Sequence, residues 1–74
     1  IDHDAELGEH VFVSPGVTMS GHVAVGAGAY IGPGAIVGSR IRIGADAVVG
    51  GGACVLADVA PGMHVFGIPA RPRA

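Results

Sequence analysis

Ile31-Gly32-Pro33-Gly34-Ala35-Ile36, Val37-Gly38-Ser39-Arg40-Ile41-Arg42, Ile43-Gly44-Ala45-Asp46-Ala47-Val48, Val49-Gly50-Gly51-Gly52-Ala53-Cys54: written in sixes, residues 31–54 repeat one pattern. Each hexad opens on an aliphatic residue, continues with Gly and carries a small or β-branched residue at its fifth position. The same frame extends outward. The first positions from the N-terminus are Ile1, Leu7, Val13, Met19, Val25, Ile31, Val37, Ile43, Val49 and Val55. The fifth positions are Ala5, Val11, Val17, Val23, Ala29, Ala35, Ile41, Ala47, Ala53 and Val59. No insertion interrupts the frame from Ile1 to Ala60.

A helix cannot use this period. Six residues turn a helix through about 600°, so equivalent positions drift around its surface instead of forming a face. Strict two-residue alternation also fails, because the chain must bend once per six residues. A short strand followed by a corner fits, with the aliphatic residue pointing into a narrow tube and the small residue packed near the corner. This is the hexapeptide repeat of a parallel β-helix, an all-β fold in which three hexads close one triangular coil. Coils are expected at 1–18, 19–36 and 37–54, about three in all, with a further strand to Ala60. Pro61-Gly62 is expected to end the repeat, leaving 61–74 as a short C-terminal tail. An 18-residue spacing then stacks Phe12, Tyr30 and Val48 in one outward column. Glu6, Ala24 and Arg42 form a second, which reads as a solvated face, and Thr18, Ile36 and Cys54 a third. One corner stacks Pro15-Gly16, Pro33-Gly34 and Gly51-Gly52, and a Pro-Gly pair suits the centre of a type II turn.

Composition narrows the function classes. At 74 residues the chain is one small domain or a piece of a larger one. The formal net charge is −2, and the few basic residues make no patch for nucleic acid. No apolar run reaches the ~18 residues of a membrane span, and no signal-peptide pattern is visible. One Cys rules out an internal disulfide. Half of the residues are apolar and only 14% are charged, which excludes intrinsic disorder. So small a core calls for oligomerisation, and the Phe12-Tyr30-Val48 stripe is the expected interface of a homotrimer. Ile1 is already in register, so the lower end of the tube requires a cap, and an upstream domain is expected before it.

The hexads followed by Pro61-Gly62 and Gly67-Ile68-Pro69-Ala70-Arg71 resemble the end of hexapeptide acyltransferases. The opening is more specific. Asp2-His3-Asp4-Ala5-Glu6-Leu7-Gly8-Glu9, then Val13-Ser14-Pro15-Gly16 and Ser20-Gly21-His22-Val23-Ala24-Val25-Gly26, resembles sugar acyltransferases of the sialic-acid O-acetyltransferase and UDP-4-amino-sugar N-acetyltransferase type. The resemblance implies a left-handed coil, against the right-handed preference of parallel crossovers. It implies a cytoplasmic homotrimer, with a nucleotide-sugar-binding domain ahead of the coils. It also implies acetyl-CoA as acyl donor, a sugar or nucleotide-sugar acceptor, and coenzyme lying between adjacent subunits. The general base falls on His3, with Asp4 raising its basicity. Coenzyme contacts fall on Phe12, Gly21, Pro33 and Gly51, and the Gly21 N–H lies near the thioester carbonyl. Several relatives have a second His where this chain has Phe12.

The residues themselves support His3 chemically, since an imidazole titrating near about 6.5 can take a proton at neutral pH. His10 and His22 read as polar turn residues, and Cys54 as a small packed residue. Arg71 and Arg73 could pair with coenzyme phosphates or stand in a solvated tail. Two other classes share the repeat. One is a non-catalytic trimeric scaffold. The other is a zinc protein like the γ-class carbonic anhydrases, which use two His five residues apart. Here the spacings among His3, His10, His22 and His64 are 7, 12 and 42, so no metal is expected.

Overall fold

The computed structural model describes residues 5–72, and within them every strand but the last belongs to a parallel β-solenoid. Nine two-residue strands follow one another at the hexad spacing. They are β1 (Glu6–Leu7), β2 (Phe12–Val13), β3 (Thr18–Met19), β4 (Ala24–Val25), β5 (Tyr30–Ile31), β6 (Ile36–Val37), β7 (Arg42–Ile43), β8 (Val48–Val49) and β9 (Cys54–Val55). They stack as three walls: β1-β4-β7 forms the first, β2-β5-β8 the second and β3-β6-β9 the third. The register is the 18-residue one throughout, with Glu6 beside Ala24 and Arg42, Phe12 beside Tyr30 and Val48, and Thr18 beside Ile36 and Cys54. The Phe12 and Tyr30 rings stack in line, 5.4 Å apart and 14° from parallel.

Inward residues fill the tube. Ile31, Val37, Val49, Ala35, Ala47 and Ala53 have no exposed surface, and Ile43 only 2%. The large inward residue is the second of each strand, as Ile31, Val37, Ile43 and Val49 are, and Ala recurs at the fifth position of the hexad, where the walls converge on a corner. The remaining positional rule, Gly at the second position, has a backbone cause. A Cβ on Gly26 would lie 2.5 Å from the amide nitrogen of Ala45 in the next coil, and one on Gly8 2.7 Å from that of Ala27. On the first wall, coils hydrogen-bonded at ladder spacing leave no room there for a methyl group, whereas a Cβ on Gly38 would meet nothing nearer than the Val55 carbonyl oxygen at 3.4 Å.

Corners are more uniform than their sequences. The fourth residue of every hexad across residues 7–54 adopts positive φ, whether Gly (Gly16, Gly28, Gly34, Gly52) or not (His10 59°, His22 64°, Arg40 60°, Asp46 60°). The corners also stack by hydrogen bonds, with Gly34 N–H donating to the Pro15 carbonyl and Arg40 N–H to that of Gly21. This ladder holds the left-handed conformation even where a side chain makes it costly, by roughly 1–2 kcal/mol.

The upper end departs from the sequence reading. In the unbroken frame Val59 would sit over Ile41, but it bridges Ile43, sixteen residues away. The corner after β9 is therefore two residues short. Regular coils satisfy the sixth-position N–H with a fifth-position carbonyl above, as Ala24 does with Ile41 at 3.0 Å. Above Arg42 that carbonyl is missing, and Oδ1 of Asp58 accepts the Arg42 N–H at 2.9 Å instead. The shifted frame then continues. Gly62 N–H donates to the Ala45 carbonyl as another corner, and β10 (His64–Phe66) pairs parallel with β8, Val65 over Val49. Pro61-Gly62 thus turns the chain rather than ending the coil, so the solenoid runs past Ala60 to Phe66. Beyond it the chain folds back over the top, where β11 (Arg71–Pro72) pairs antiparallel with β10 and Ala70 N–H donates to the Cys54 carbonyl.

Candidate functional site

The three walls differ on their outer surfaces. The second carries the Phe12–Tyr30 stack with Val48 and His64, and Phe12 is 58% exposed. The third carries Ile36, and Leu56 stands exposed just beyond β9. The first is nearly bare: Gly8, Gly26 and Gly44 occupy its second positions, and Ala24 separates Glu6 from Arg42. An open groove of about 710 Å³ runs up this wall from Glu6 and Leu7 to Asp58 and Pro61. Wide glycine-floored space, mostly apolar and crossed by few charges, suits an extended ligand lying along the solenoid axis. Glu6 and Arg42 are exposed, as the solvated-face reading of this column expects, and the groove between them is the feature that the column alone does not reveal. The available signal was the repeated Gly two positions after each of Glu6, Ala24 and Arg42.

His3 and Asp4 lie outside the described residues. The four residues expected to contact coenzyme fall on two sides of the prism. Phe12 projects from the second wall, and Pro33 and Gly51 stack at the corner between the second and third walls. Gly52 N–H donates to the Pro33 carbonyl at 2.8 Å, and a Cβ on Gly51 would meet Pro33 only at 3.4 Å. Added Cβ atoms on Gly34 and Gly52 would meet nothing within 4 Å, so this corner is an open backbone edge. Gly21 stands at the corner between the third and first walls. In a triangular coil that corner faces away from the second wall, so a ligand on one prism cannot touch all four residues. None of the four lines the groove on the first wall.

The remaining candidates resolve locally. His10 and His22 are exposed corner residues at the positive-φ position. Cys54 is a half-buried free thiol in the column of Thr18 and Ile36. Arg71 is exposed on β11. Among the described residues no three His, Cys, Asp or Glu side chains gather where they could hold a metal ion. Among them also, no helix is long and apolar enough to cross a membrane.

Repeat, register and walls define the chain as a hexapeptide-repeat parallel β-solenoid, and its neighbours among solved structures are hexapeptide-repeat sugar acetyltransferases. PerB from Caulobacter crescentus, in complex with CoA and GDP-perosamine, superposes with a TM-score of 0.97 at 36% identity, over 100% of this chain and 36% of its own. The acetyltransferase domain of PglB from Neisseria gonorrhoeae, in complex with acetyl coenzyme A, also gives 0.97, at 37% identity over 99% of this chain and 36% of its own. A galactoside acetyltransferase in complex with coenzyme A gives 0.91 at 25% identity, over 99% and 46%. The chain therefore spans about a third of the length of the first two structures. No family model matches the sequence, and no curated protein matches it significantly.

Proposed function

We propose that this chain serves acetyl transfer from acetyl-CoA to an amino or hydroxyl group of a sugar, in the cytoplasm and as a homotrimer. One observation carries the reading. The whole chain, with no part left over, superposes on acetyltransferases that hold CoA or acetyl-CoA, at better than one residue identical in three. PerB was solved with a nucleotide-linked sugar, GDP-perosamine, alongside CoA, and a neighbour from the same organism is a perosamine N-acetyltransferase. A nucleotide-linked amino sugar is accordingly the first acceptor to test.

In this reading the acceptor nitrogen or oxygen attacks the thioester carbonyl while His3 takes its proton, and Asp4 stabilises the imidazolium as it forms. The tetrahedral intermediate collapses by breaking the C–S bond, and coenzyme A leaves as a thiol after protonation. No covalent enzyme intermediate is required. The outer walls support a trimer, since Phe12, Tyr30 at 40% exposure and Ile36 at 49% leave apolar surface that usually marks an interaction site. Three copies around one axis also bring the second wall of one prism toward the Gly21 corner of the next. This arrangement gathers Phe12, Gly21, Pro33 and Gly51 around one coenzyme.

Acetyl-CoA titration followed by thermal unfolding tests the first step. At a hundredfold excess over Kd, a ligand that binds only the native state adds about 2.7 kcal/mol. Thiol release in the presence of GDP- and UDP-linked amino sugars tests the second. No thermal shift at millimolar acetyl-CoA would refute the reading.

A further inference from the structure

We infer that the first wall is a self-complementary docking face, on which a second copy of this chain packs antiparallel across a twofold axis at Ala24. This face is separate from the acetyl-transfer reading and does not depend on it.

The order of charge along the wall carries it. In the 18-residue register Glu6, Ala24 and Arg42 stand in one outward column, anionic on the first coil, neutral on the second and cationic on the third. Glu6 and Arg42 are exposed, and neither side chain forms an ion pair among the described residues. Two coil spacings, about 10 Å, separate them. A column that runs minus, neutral, plus is the complement of itself reversed. A twofold axis crossing the column at Ala24 sets Glu6 of each copy against Arg42 of the other and leaves Ala24 facing its own mate. The same operation opposes every first-coil residue of the wall to the residue two coils later. At the corner between the first and second walls it therefore brings His10, exposed there, opposite Asp46.

Other pairings are worse. With the axis along the solenoid, Glu6 faces Glu6 and Arg42 faces Arg42. Sliding the antiparallel pair by one coil either sets Glu6 against Asp58 or leaves Arg42 opposite none of the described residues. With the axis at Ala24, Asp58 overhangs the other copy beyond its Glu6, and its Oδ1 is held at home by the Arg42 N–H at 2.9 Å. Shape permits the contact. Gly8, Gly26 and Gly44 are required by the coils stacked against them, and the outer consequence is a wall without side chains at its second positions, so two such walls approach closely. Phe12, Tyr30 and Ile36, the apolar surface assigned to the trimer, stand on the other two walls, so the two contacts do not compete. The prism measures 31 × 20 × 20 Å. Two opposed walls of that size bury on the order of 1,000 Å² together, the small end of specific interfaces. Association is therefore weak, and charge decides its register.

The test is disulfide capture combined with charge reversal, on the full chain. Ala24→Cys should form an interchain disulfide under mild oxidation, because a residue on the twofold axis faces its own mate. The parent, whose one thiol is Cys54 on the third wall, supplies the background. In the Ala24→Cys background, Glu6→Arg alone and Arg42→Glu alone each place like charges in both contacts, and each should slow capture at least about tenfold. The double variant Glu6→Arg/Arg42→Glu should recover capture to within about threefold. So should an equimolar mixture of the two single variants, whose charges complement each other. Recovery on mixing also excludes a folding defect, since misfolded singles could not repair one another. Capture by the single variants at the parental rate overturns the inference, as does failure of both recoveries. No capture above the Cys54 background overturns it as well, and leaves the groove to a small extended ligand. None of these outcomes bears on acetyl-CoA binding, so the acetyl-transfer reading stands or falls separately.

Discussion

Replacing Gly26 by Ala adds one methyl group and should cost about 3–5 kcal/mol. Gly26 has no positive φ, so conformational strain plays no part. The new Cβ would sit 2.5 Å from the Ala45 nitrogen and 2.8 Å from its Cα. Backbone faces backbone, so no side chain can swing aside. Ordinary contact near 3.4 Å or beyond requires the coils to part locally by almost an ångström, and two ladder bonds cross that gap. The Gly26 N–H to Ile43 carbonyl bond, now 2.7 Å, and the Asp46 N–H to Ala27 carbonyl bond, now 2.9 Å, would both pass the range of good geometry. Each is worth about 1 kcal/mol, and overpacking strain contributes roughly 1–3 kcal/mol more. Two companions isolate the cause. At Gly38 the nearest atom to an added Cβ is the Val55 carbonyl oxygen at 3.4 Å, so Gly38→Ala should be neutral within about 0.5 kcal/mol or slightly stabilising. At Gly34 the space is open but φ is 72°, so Gly34→Ala should cost only the left-handed penalty, about 1 kcal/mol. Urea unfolding followed by far-ultraviolet circular dichroism gives all three differences. Equal stability of the Gly26→Ala and Gly38→Ala variants would show that the second-position rule does not arise from coil-to-coil contact.

Three further outcomes are expected. Asp58→Ala should cost about 1 kcal/mol in the same unfolding assay, because the Arg42 N–H loses its acceptor, and Asp58→Asn should recover most of it by offering an amide oxygen. His3→Ala should lower acetyl transfer by roughly 10²–10⁴-fold with acetyl-CoA affinity little changed, so near-normal turnover would remove His3 from the proposed mechanism. Tyr30→Glu should convert the proposed trimer to monomer in light scattering at micromolar concentration, since it breaks the stack with Phe12 and places like charges on the apolar wall; an unchanged trimer would assign the interface to the wall of Ile36.

Inward residues made the fold legible. Ten first positions and ten fifth positions repeat one requirement, so an occasional exception such as Met19 does not obscure it. All three outward columns then follow from counting, and Phe12-Tyr30-Val48 stands where the count puts it. The upper slip was hidden for an equally concrete reason. Val59 is an acceptable fifth-position residue and an equally acceptable first-position one, so the sequence reads smoothly through a corner two residues short. Only Asp58 marks the place, and a carboxylate standing in for a carbonyl has no signature beyond its own occurrence. The corners were under-read because the ladder, rather than residue type, enforces positive φ at His10, His22, Arg40 and Asp46.

The candidate site is harder to read than the fold because its residues occur once each and face outward, where the repeat imposes nothing. A column of inward aliphatics tests itself ten times, while Arg42 has no second instance to confirm it. The carried-over contacts illustrate the difference. By number Phe12, Gly21, Pro33 and Gly51 look like successive steps up one surface, spaced 9, 12 and 18 residues apart. Eighteen residues return the chain to the same place one coil higher, but nine or twelve carry it to another side. Pro33 and Gly51 therefore stack, while Gly21 is turned away from Phe12 on the far side of a tube filled with Ile31, Val37 and Val49. No movement within one prism can bring them together without breaking the ladder that defines the fold. If all four touch one coenzyme, they do so from different copies, and the surface that binds it is a property of how prisms pack. That packing is governed by the outward columns, which is why the stripe of Phe12 and Tyr30 and the bare groove of the first wall must be considered together.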